Sequence, residues 1–154
     1  MISMSAIITF VFTIIAMEGI TWLTHKYVMH GFLWSLHYDH HNKNKNNFLE
    51  KNDLFFIIFA IPSMSLIFLG KFVYPTMLLM PIGFGIMGYG FLYFLVHEII
   101  IHYRFSEYFS INNRYLNGLR KAHKDHHKHI NKEDAECFGM LWVPFKYFKT
   151  TKTN

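Results

Sequence analysis

The chain has 154 residues, of which 52% are hydrophobic and 19% aromatic, and its formal net charge is +5 at pH 7. The apolar residues lie in long blocks rather than at amphipathic spacing, which excludes an ordinary soluble domain. No basic helix or aromatic RNA-binding platform accompanies the positive charge, so we expect no nucleic-acid partner. The single cysteine, Cys137, excludes an intramolecular disulfide and any multi-cysteine metal site.

Three apolar blocks follow one another along the chain. The first, residues 4–23, contains Glu18 as its single charge, and the second, residues 54–70, contains no charge. The third covers residues 72–101. A membrane crossing needs about 20 apolar residues, and runs of about 17 still suffice. The pattern therefore predicts one all-α domain over residues 1–154, a polytopic membrane helical bundle with spans near 4–23, 54–70 and 72–96.

The third block leaves the number of spans open between three and four. It is long for one span and short for two, so a broken or re-entrant segment around residues 75–81 is an alternative. Glycines are frequent in its middle part, where they predict either close packing against a neighbouring helix or a kink. These glycines are Gly83, Gly85, Gly88 and Gly90.

The segment FGMLWVPFKYF, residues 138–148, is apolar but too short and too interrupted to cross a membrane. Its aromatic side chains fit an anchor at the level of the lipid headgroups. A lid or wall over an apolar substrate is the equally weighted alternative.

The basic residues are distributed unevenly. Of the fifteen lysines and arginines, four lie in residues 24–53 and ten in residues 102–154, and only Lys71 lies elsewhere. The positive-inside rule therefore places two histidine-rich regions, residues 25–41 and 97–127, in the cytoplasm as a helical cap. Three crossings satisfy this arrangement, because an even number of crossings then separates the two regions.

Ten of the eleven histidines form two kinds of motif, each used twice. H-x4-H occurs near the ends of the first and third apolar blocks, and H-x2-H-H follows each of them. Positions i, i+3 and i+4 share one helix face, so each triplet can direct three imidazoles at one centre. Positions i and i+5 lie about 140° apart, so each pair either straddles two metals or lies where the helix unwinds. The predicted ligands are His25, His30, His37, His40, His41, His97, His102, His123, His126 and His127, whereas His129 is expected to be a solvated residue.

Two triplets and two pairs, drawn from both halves of the chain, favour a two-metal site. Imidazole binds zinc, copper, iron and nickel. Two six-coordinate ions have about twelve positions, so ten histidines leave about two for O2, water or substrate. A closed four-coordinate structural zinc would leave several histidines idle. The arithmetic favours an open catalytic pair of ions, and iron fits it best.

The motifs around the histidines resemble those of a known family, the bacterial beta-carotene 3-hydroxylases of the membrane-bound fatty-acid-hydroxylase superfamily. The resemblance runs in order from Met17 to about Pro144, and Glu98 stands where the family usually has Asp. It implies a non-haem di-iron monooxygenase that uses O2 to hydroxylate C3 of a beta-ionone ring, with the boxed histidines as ligands. The product series would be beta-carotene, beta-cryptoxanthin and zeaxanthin. The matching runs are AMEGITWLTHKYVMHGFLWSLHYDHH, NDLFFIIFAIPSMSLIFLG, YGFLYFLVHEIIIHYRF, AHKDHHKH and FGMLWVP.

The resemblance also implies partners and a location. The carotenoid would enter from the lipid bilayer, a reduced ferredoxin or similar donor would supply electrons, and a bacterial inner membrane would hold the protein. We expect an aromatic set of residues to line the substrate route, although helix packing is an alternative role for them. We expect a basic set to dock the electron donor, although membrane topology alone would also place these charges there. The aromatic set is Tyr89, Phe91, Tyr93 and Phe94, and the basic set is Arg114, Arg120, Lys121, Lys124 and Lys128.

Several alternatives remain open at this point. Asp39 and Asp125 occupy matching places in the two triplets. Either they accept hydrogen bonds from ligating imidazoles, or they are solvated residues on a helix face. A centre of this kind also serves carotenoid ketolases and hydroxylases or desaturases of fatty acids and sterols. A metal-binding or transporting membrane protein without redox chemistry belongs to a different class. Transport favours polar residues inside the spans, whereas these histidines lie at the ends of the apolar blocks.

Overall fold

The computed structural model describes residues 3–42, 49–75, 78–104 and 113–149. None of these residues forms a β-strand, which confirms the all-helical class expected from the sequence. Two of the helical segments, named π1 and π2 here, have π-helical rather than α-helical hydrogen bonding. The elements are α1 (Met4–Leu23), π1 (Thr24–Phe32), α2 (Trp34–His41), α3 (Leu54–Phe72), α4 (Leu79–Tyr93), π2 (Phe94–Ile101) and α5 (Arg114–His126), with short 3-10 turns at Lys51–Asp53 and Phe145–Phe148.

Three continuous helices within the described ranges are long and apolar enough to cross a membrane: Met4–Phe32, Lys51–Phe72 and Leu79–Ile101. The third begins at Leu79, later than the expected start at residue 72, because Phe72 is the last residue of α3. Pro81 lies in the first turn of α4, where its missing N–H is not needed. From there the helix runs unbroken to Ile101, so residues 79–101 form one helix that is long enough to cross a membrane.

Helix α4 lies between α1 and α3 and packs against both. A Cβ atom at Gly83 would lie 2.6 Å from Ile67 Cγ1 and 2.8 Å from the Ser63 carbonyl oxygen on α3. A Cβ atom at Gly85 would lie 2.6 Å from Thr13 Cβ on α1. Glycine is therefore required at both positions for the helices to approach this closely. These two glycines serve packing, as one of the two sequence-based alternatives proposed.

The outer faces of the three long helices expose large apolar side chains. Phe12, Ile15, Phe56, Met64 and Phe91 are each at least 60% exposed. Soluble monomers rarely expose apolar surface this extensively. The pattern is that of helices surrounded by lipid, and it agrees with the expected membrane bundle.

Helix α5 covers the histidine-bearing end of the bundle. Asn113 caps its first turn by accepting hydrogen bonds from the backbone N–H groups of Tyr115 and Leu116. Its buried residues recur every three to four positions, which makes one face apolar. That face packs with Val143 and with Cys137, whose thiol pKa burial raises to about 11. Cys137 is therefore a buried thiol that takes part in packing.

Candidate metal centre

The ten boxed histidines meet at one end of the three-helix bundle, and nine of them form two groups. Within each group, one ligand-type atom from every residue lies within 4.8 Å of the others. His127 lies between the groups, with its Nε2 2.8 Å from Nε2 of His123 and its ring stacked on His41. His129 is exposed and lies outside both. Group 1 consists of His25, His30, His37, His41 and His126, and group 2 consists of His40, His97, His102 and His123.

The π-helical segments explain how each H-x4-H pair joins a single group. His25 and His30 lie in π1, and His97 begins the pair that ends just after π2. The backbone N–H of His102 donates to the carbonyl of His97 at 3.0 Å, which is an i+5 hydrogen bond. A π-helix therefore brings residues i and i+5 onto one face, whereas an α-helix separates them by about 140°. Of the two alternatives for the H-x4-H pairs, the structure therefore supports local unwinding of the helix and not a pair divided between the two groups.

The triplets behave differently from the prediction that each directs three imidazoles at one centre. His37 and His41 belong to group 1, but His40 belongs to group 2. In α5, His126 belongs to group 1 and His123 to group 2. Consecutive helix positions lie about 100° apart, so a helix placed between two centres presents neighbouring residues to each of them. Both triplets therefore serve both groups.

Four histidines of group 1 donate hydrogen bonds from Nδ1 to uncharged oxygen atoms. Three of these acceptors are backbone carbonyls in the segment 130–142, which we call the strap, and the fourth is the side-chain amide of Asn52. Such bonds fix the ring orientation and the protonated nitrogen. They join His25 to Phe138 at 2.9 Å, His30 to Ile130 at 2.9 Å, His126 to Glu136 at 2.9 Å and His37 to Asn52 at 2.7 Å.

Two histidines of group 2 instead donate from Nδ1 to buried carboxylates. These carboxylates are held by further donors, among them a guanidinium that also forms an ion pair at the start of α3. The bonds join His40 to Glu50 at 3.0 Å, His97 to Glu98 at 2.7 Å and Arg104 to Glu98 at 2.9 Å, and Arg104 also pairs with Asp53.

The inner nitrogens of group 1 face one another in pairs. Nε2 of His25 lies 3.0 Å from Nε2 of His37, and Nε2 of His30 lies 3.1 Å from Nε2 of His126. Each of these rings already carries its proton on Nδ1, so in the neutral form both facing nitrogens present lone pairs. Burial lowers the pKa of His37 and of His126 to about 3, which keeps both rings neutral at pH 7. Facing lone pairs repel, and a cation bound by both removes the repulsion.

Other inner nitrogens also fit a metal. Nε2 of His40, Nε2 of His97 and both ring nitrogens of His41 are buried and have no hydrogen-bond partner within the described ranges. Burial lowers the pKa of His41 to about 2 and holds the pKa of His40 well below its usual value. Neutral imidazole with an available lone pair is the form that binds metals. The donor set therefore fits metal ions in both groups.

An apolar cavity of about 600 Å³ lies among α1, α3 and α4, and three of the residues that line it contact histidines. At one end its wall includes Asn52 and Glu98, which orient His37 and His97. The Tyr93 ring belongs to the wall and stacks on His97 at 4.6 Å between ring centroids. The four aromatic residues expected along a substrate route, Tyr89, Phe91, Tyr93 and Phe94, all line this cavity.

The C-terminal aromatic segment contacts the histidines rather than this cavity. The Phe138 ring packs against the rings of His25, His30 and His126 at 5.1–5.5 Å between centroids. No residue of 138–148 is among those lining the cavity. Trp142 is 80% exposed, as an interfacial anchor requires. The segment is thus a wall of the metal centre with an outward-facing aromatic residue.

Glu18 attaches the strap to α1. Its Oε1 accepts hydrogen bonds from three consecutive backbone N–H groups, those of Met140, Leu141 and Trp142, at 2.8–3.0 Å. Its Oε2 accepts from the Tyr89 hydroxyl at 2.6 Å. The strap carries the carbonyls that orient three group 1 histidines, so this carboxylate supports the centre from a distance.

Sequence reasoning did not identify Glu50, Asn52 or Glu18 as parts of the site. The available signals were indirect: Glu50 and Asp53 form a capping box that predicts the start of a helix rather than contact with a histidine. Glu18 was visible as a lone charge in an apolar span, which is itself a functional signal. Its partners lie 71 residues away, at Tyr89, and more than one hundred residues away, in the strap, so local patterns did not identify them.

The two aspartates of the triplets, Asp39 and Asp125, bond to groups other than the histidines. Asp39 accepts from the backbone N–H of Lys51 at 2.6 Å. Asp125 accepts from the Tyr147 hydroxyl at 2.9 Å and pairs with Lys128 at 3.1 Å. Among the described contacts neither carboxylate hydrogen-bonds to a histidine, so the first alternative gains no support. Asp39 is not a fully solvated residue either, because its Oδ1 is buried.

The basic residues divide into inward-facing and outward-facing members. Arg120 donates to the Ile100 carbonyl at 3.0 Å and stacks over Tyr103, and is therefore part of the packing. Arg114 donates to the carbonyl of Phe148. The outward-facing lysines line a shallow depression together with one more lysine from the C-terminal turn. These are Lys121, Lys124, Lys128 and Lys146, and we call them the lysine surface.

Comparison with known proteins agrees with this geometry. The beta-carotene hydroxylase of Pantoea ananas is 43% identical over 141 residues, covering 91% of this chain and 78% of that protein. That of Pseudescherichia vulneris is 41% identical over 134 residues, covering 86% and 74%, and that of Paracoccus sp. (strain PC1) is 31% identical over 142 residues, covering 92% and 86%. No solved structure matches the chain significantly. The family model for fatty acid hydroxylase matches residues 10–150, which confirms the expected resemblance. The chain therefore belongs to the fatty acid hydroxylase family and is a hydroxylating oxidoreductase of the membrane.

Proposed function

We propose that this protein hydroxylates the beta-ionone rings of carotenoids at C3, using O2 and two iron ions held by the ten boxed histidines. The observation that carries the metal part is the pairing of unprotonated imidazole nitrogens, His25 with His37 and His30 with His126. The relatives named beta-carotene hydroxylases support the substrate class.

Each metal would have its own set of ligands. Group 1 supplies five histidines to one ion and group 2 supplies four to the other, with His127 close to both. Iron bound in these groups would supply the oxidant that an unactivated C–H bond requires, since acid–base groups alone cannot attack it. Fewer than six protein ligands per ion leave positions for O2 and substrate.

The chain's own residues would bind and orient the substrate. The cavity is apolar along α1, α3 and α4, where Met17, Phe55 and Ile86 are among its walls, and this suits a hydrocarbon ring. Its polar end lies against Asn52 and Glu98, next to the histidines. A ring entering from the lipid would therefore reach the centre, while the long polyene chain remained among the exposed apolar side chains of the helices.

The same residues would protect the centre from water. The Tyr93 ring covers one face of His97, and Phe138 packs on three group 1 histidines from the strap side. A dry site strengthens the electrostatic interactions around the metals and limits side reactions. The hydrogen bonds that Nδ1 donates in six of the histidines would hold those rings with Nε2 directed inward.

The histidine end would face the cytoplasm of a bacterial inner membrane, because basic residues concentrate at that end and Lys71 lies at the other. A reduced ferredoxin or similar acidic carrier would then dock on the lysine surface. Four lysines line this depression, and although Asp125 pairs with Lys128 and Glu136 with Lys146, Lys121 and Lys124 keep the surface positive. Charge complementarity of this kind increases association rates.

The test is expression in cells that accumulate beta-carotene, with pigment analysis. The wild type should form zeaxanthin through the singly hydroxylated intermediate, whereas ketones or an unchanged profile would refute the assignment. His126→Ala and His40→Ala, one from each group, should each abolish product. His129→Ala is the matched control and should retain activity, because that side chain is exposed and outside both groups. Protein purified from iron-replete cells with zinc alone and no O2 consumption would favour a metal-binding role without redox chemistry.

A further inference from the structure

The two histidine groups differ in the charge of the atoms that their outer nitrogens contact. In group 1 the four acceptors are three backbone carbonyls and the Asn52 amide, all uncharged. In group 2 the acceptors found within the described ranges for His40 and His97 are the carboxylates of Glu50 and Glu98. The triplets do not distinguish the groups in this way, since each contributes to both. The H-x4-H pairs do so in part, because Glu98 follows His97 in the second pair whereas Lys26 follows His25 in the first.

Both carboxylates of group 2 are buried and act as acceptors. Glu50 is 8% exposed, and besides His40 its side chain accepts the backbone N–H of Asp53 in a capping box. Glu98 is 7% exposed and accepts from Arg104 in addition to His97. A carboxyl group that accepts from several N–H donors is in its anionic form. The guanidinium of Arg104 offsets part of this negative charge.

We infer that the two metal positions are unequal, and that group 2 binds its divalent cation more tightly and fills first. This rests on the two-metal part of the proposed function. A carboxylate that accepts the outer N–H of a ligating imidazole makes the inner nitrogen a stronger donor, whereas a carbonyl or amide does so less. The negative charge also attracts the cation directly across the ring, and burial weakens the screening by water.

Glu50→Gln tests the inference with little change in shape. The substitution keeps the side-chain length and one acceptor oxygen for His40, and it removes the charge. Asn52→Asp is the reciprocal change, because it places a carboxylate on His37 of group 1. Asp39→Asn is the matched control: it removes a carboxylate from the same helix as His40, but from a side chain that bonds the Lys51 backbone and no histidine.

The experiment is an anaerobic calorimetric titration in which Fe²⁺ is added to the purified, metal-stripped full chain in detergent. We expect Glu50→Gln to weaken the first binding step by about 10–100-fold and to leave the second unchanged. Asn52→Asp should strengthen the second step, and Asp39→Asn should change neither. A purely structural role of Glu50 would weaken both steps together.

The outcomes separate this inference from the proposed function. If the wild type takes up two equivalents with equal affinity, or if Glu50→Gln alters both steps alike or neither, the inference is overturned while the two-metal site stands. If the wild type takes up one equivalent or none, the two-metal part of the proposed function fails, and the inference fails with it.

Discussion

Replacement of Glu18 by alanine should destabilise the protein through the strap rather than through the membrane helix. The side chain accepts four hydrogen bonds, three from the backbone of the strap and one from the Tyr89 hydroxyl. In Glu18→Ala the donors of Met140, Leu141 and Tyr89 are partly buried and lose their acceptor, whereas the N–H of Trp142 is exposed and can bind water. The change therefore acts on contacts between elements distant in sequence.

The magnitude follows from those three partly buried donors. Each donor left without a partner costs about 1–3 kcal/mol. Relief of the desolvation of a carboxylate and entry of water into the space left behind offset part of the sum. We therefore expect a loss of about 3 kcal/mol in the free energy of unfolding. Glu18→Gln keeps an acceptor oxygen for the strap and should lose about 1 kcal/mol.

The assay is chemical unfolding of the purified protein in detergent micelles, together with its iron content. Glu133→Ala is the matched control, since it removes an exposed carboxylate whose contact with Lys132 is 3.9 Å long, and it should change stability by less than about 0.5 kcal/mol. Because the strap orients His25, His30 and His126, iron retention should fall with stability in Glu18→Ala. An unfolding free energy equal to that of the wild type would refute the reasoning.

Three further predictions concern packing, the donor surface and the metals. Gly83→Ala should lower the free energy of unfolding of the protein in detergent by about 1–3 kcal/mol, because its Cβ would lie 2.8 Å from a carbonyl oxygen of α3. In the control Gly90→Ala the added Cβ meets nothing within 4 Å, so the free energy of unfolding should not fall. Equal effects of the two substitutions would contradict the packing model. Reversing the charges of Lys121, Lys124 and Lys128 to glutamate should reduce kcat/KM for an acidic donor protein by about tenfold at low salt and remove its salt dependence; an unchanged salt profile would place the docking site elsewhere. Treatment with an iron chelator should abolish hydroxylation and lower the unfolding temperature, both restored by Fe²⁺, and activity that survives complete iron removal would exclude the proposed centre.

Much of the fold was predictable because membrane spans depend mainly on local composition. The lengths of the apolar blocks predicted three crossing helices, and the structure contains three that are long enough. The third helix begins later than predicted, because Phe72 still belongs to α3 and α4 begins at Leu79, and composition alone does not separate two apolar helices. The residues of the histidine centre were also predictable, since the two motifs are dense and both end up on one side of the bundle.

The sequence by itself determined that ten histidines gather at one end of a bundle of apolar helices. Helical periodicity is a local property, and it could not decide which histidines share a group. The π-helical hydrogen bonding aligned His25 with His30, and the placement of α2 and α5 between two centres divided the triplets. The partners of the outer nitrogens were also decided only by tertiary structure, because the carbonyl of Phe138 and the carboxylate of Glu50 reach their histidines through packing of separate elements.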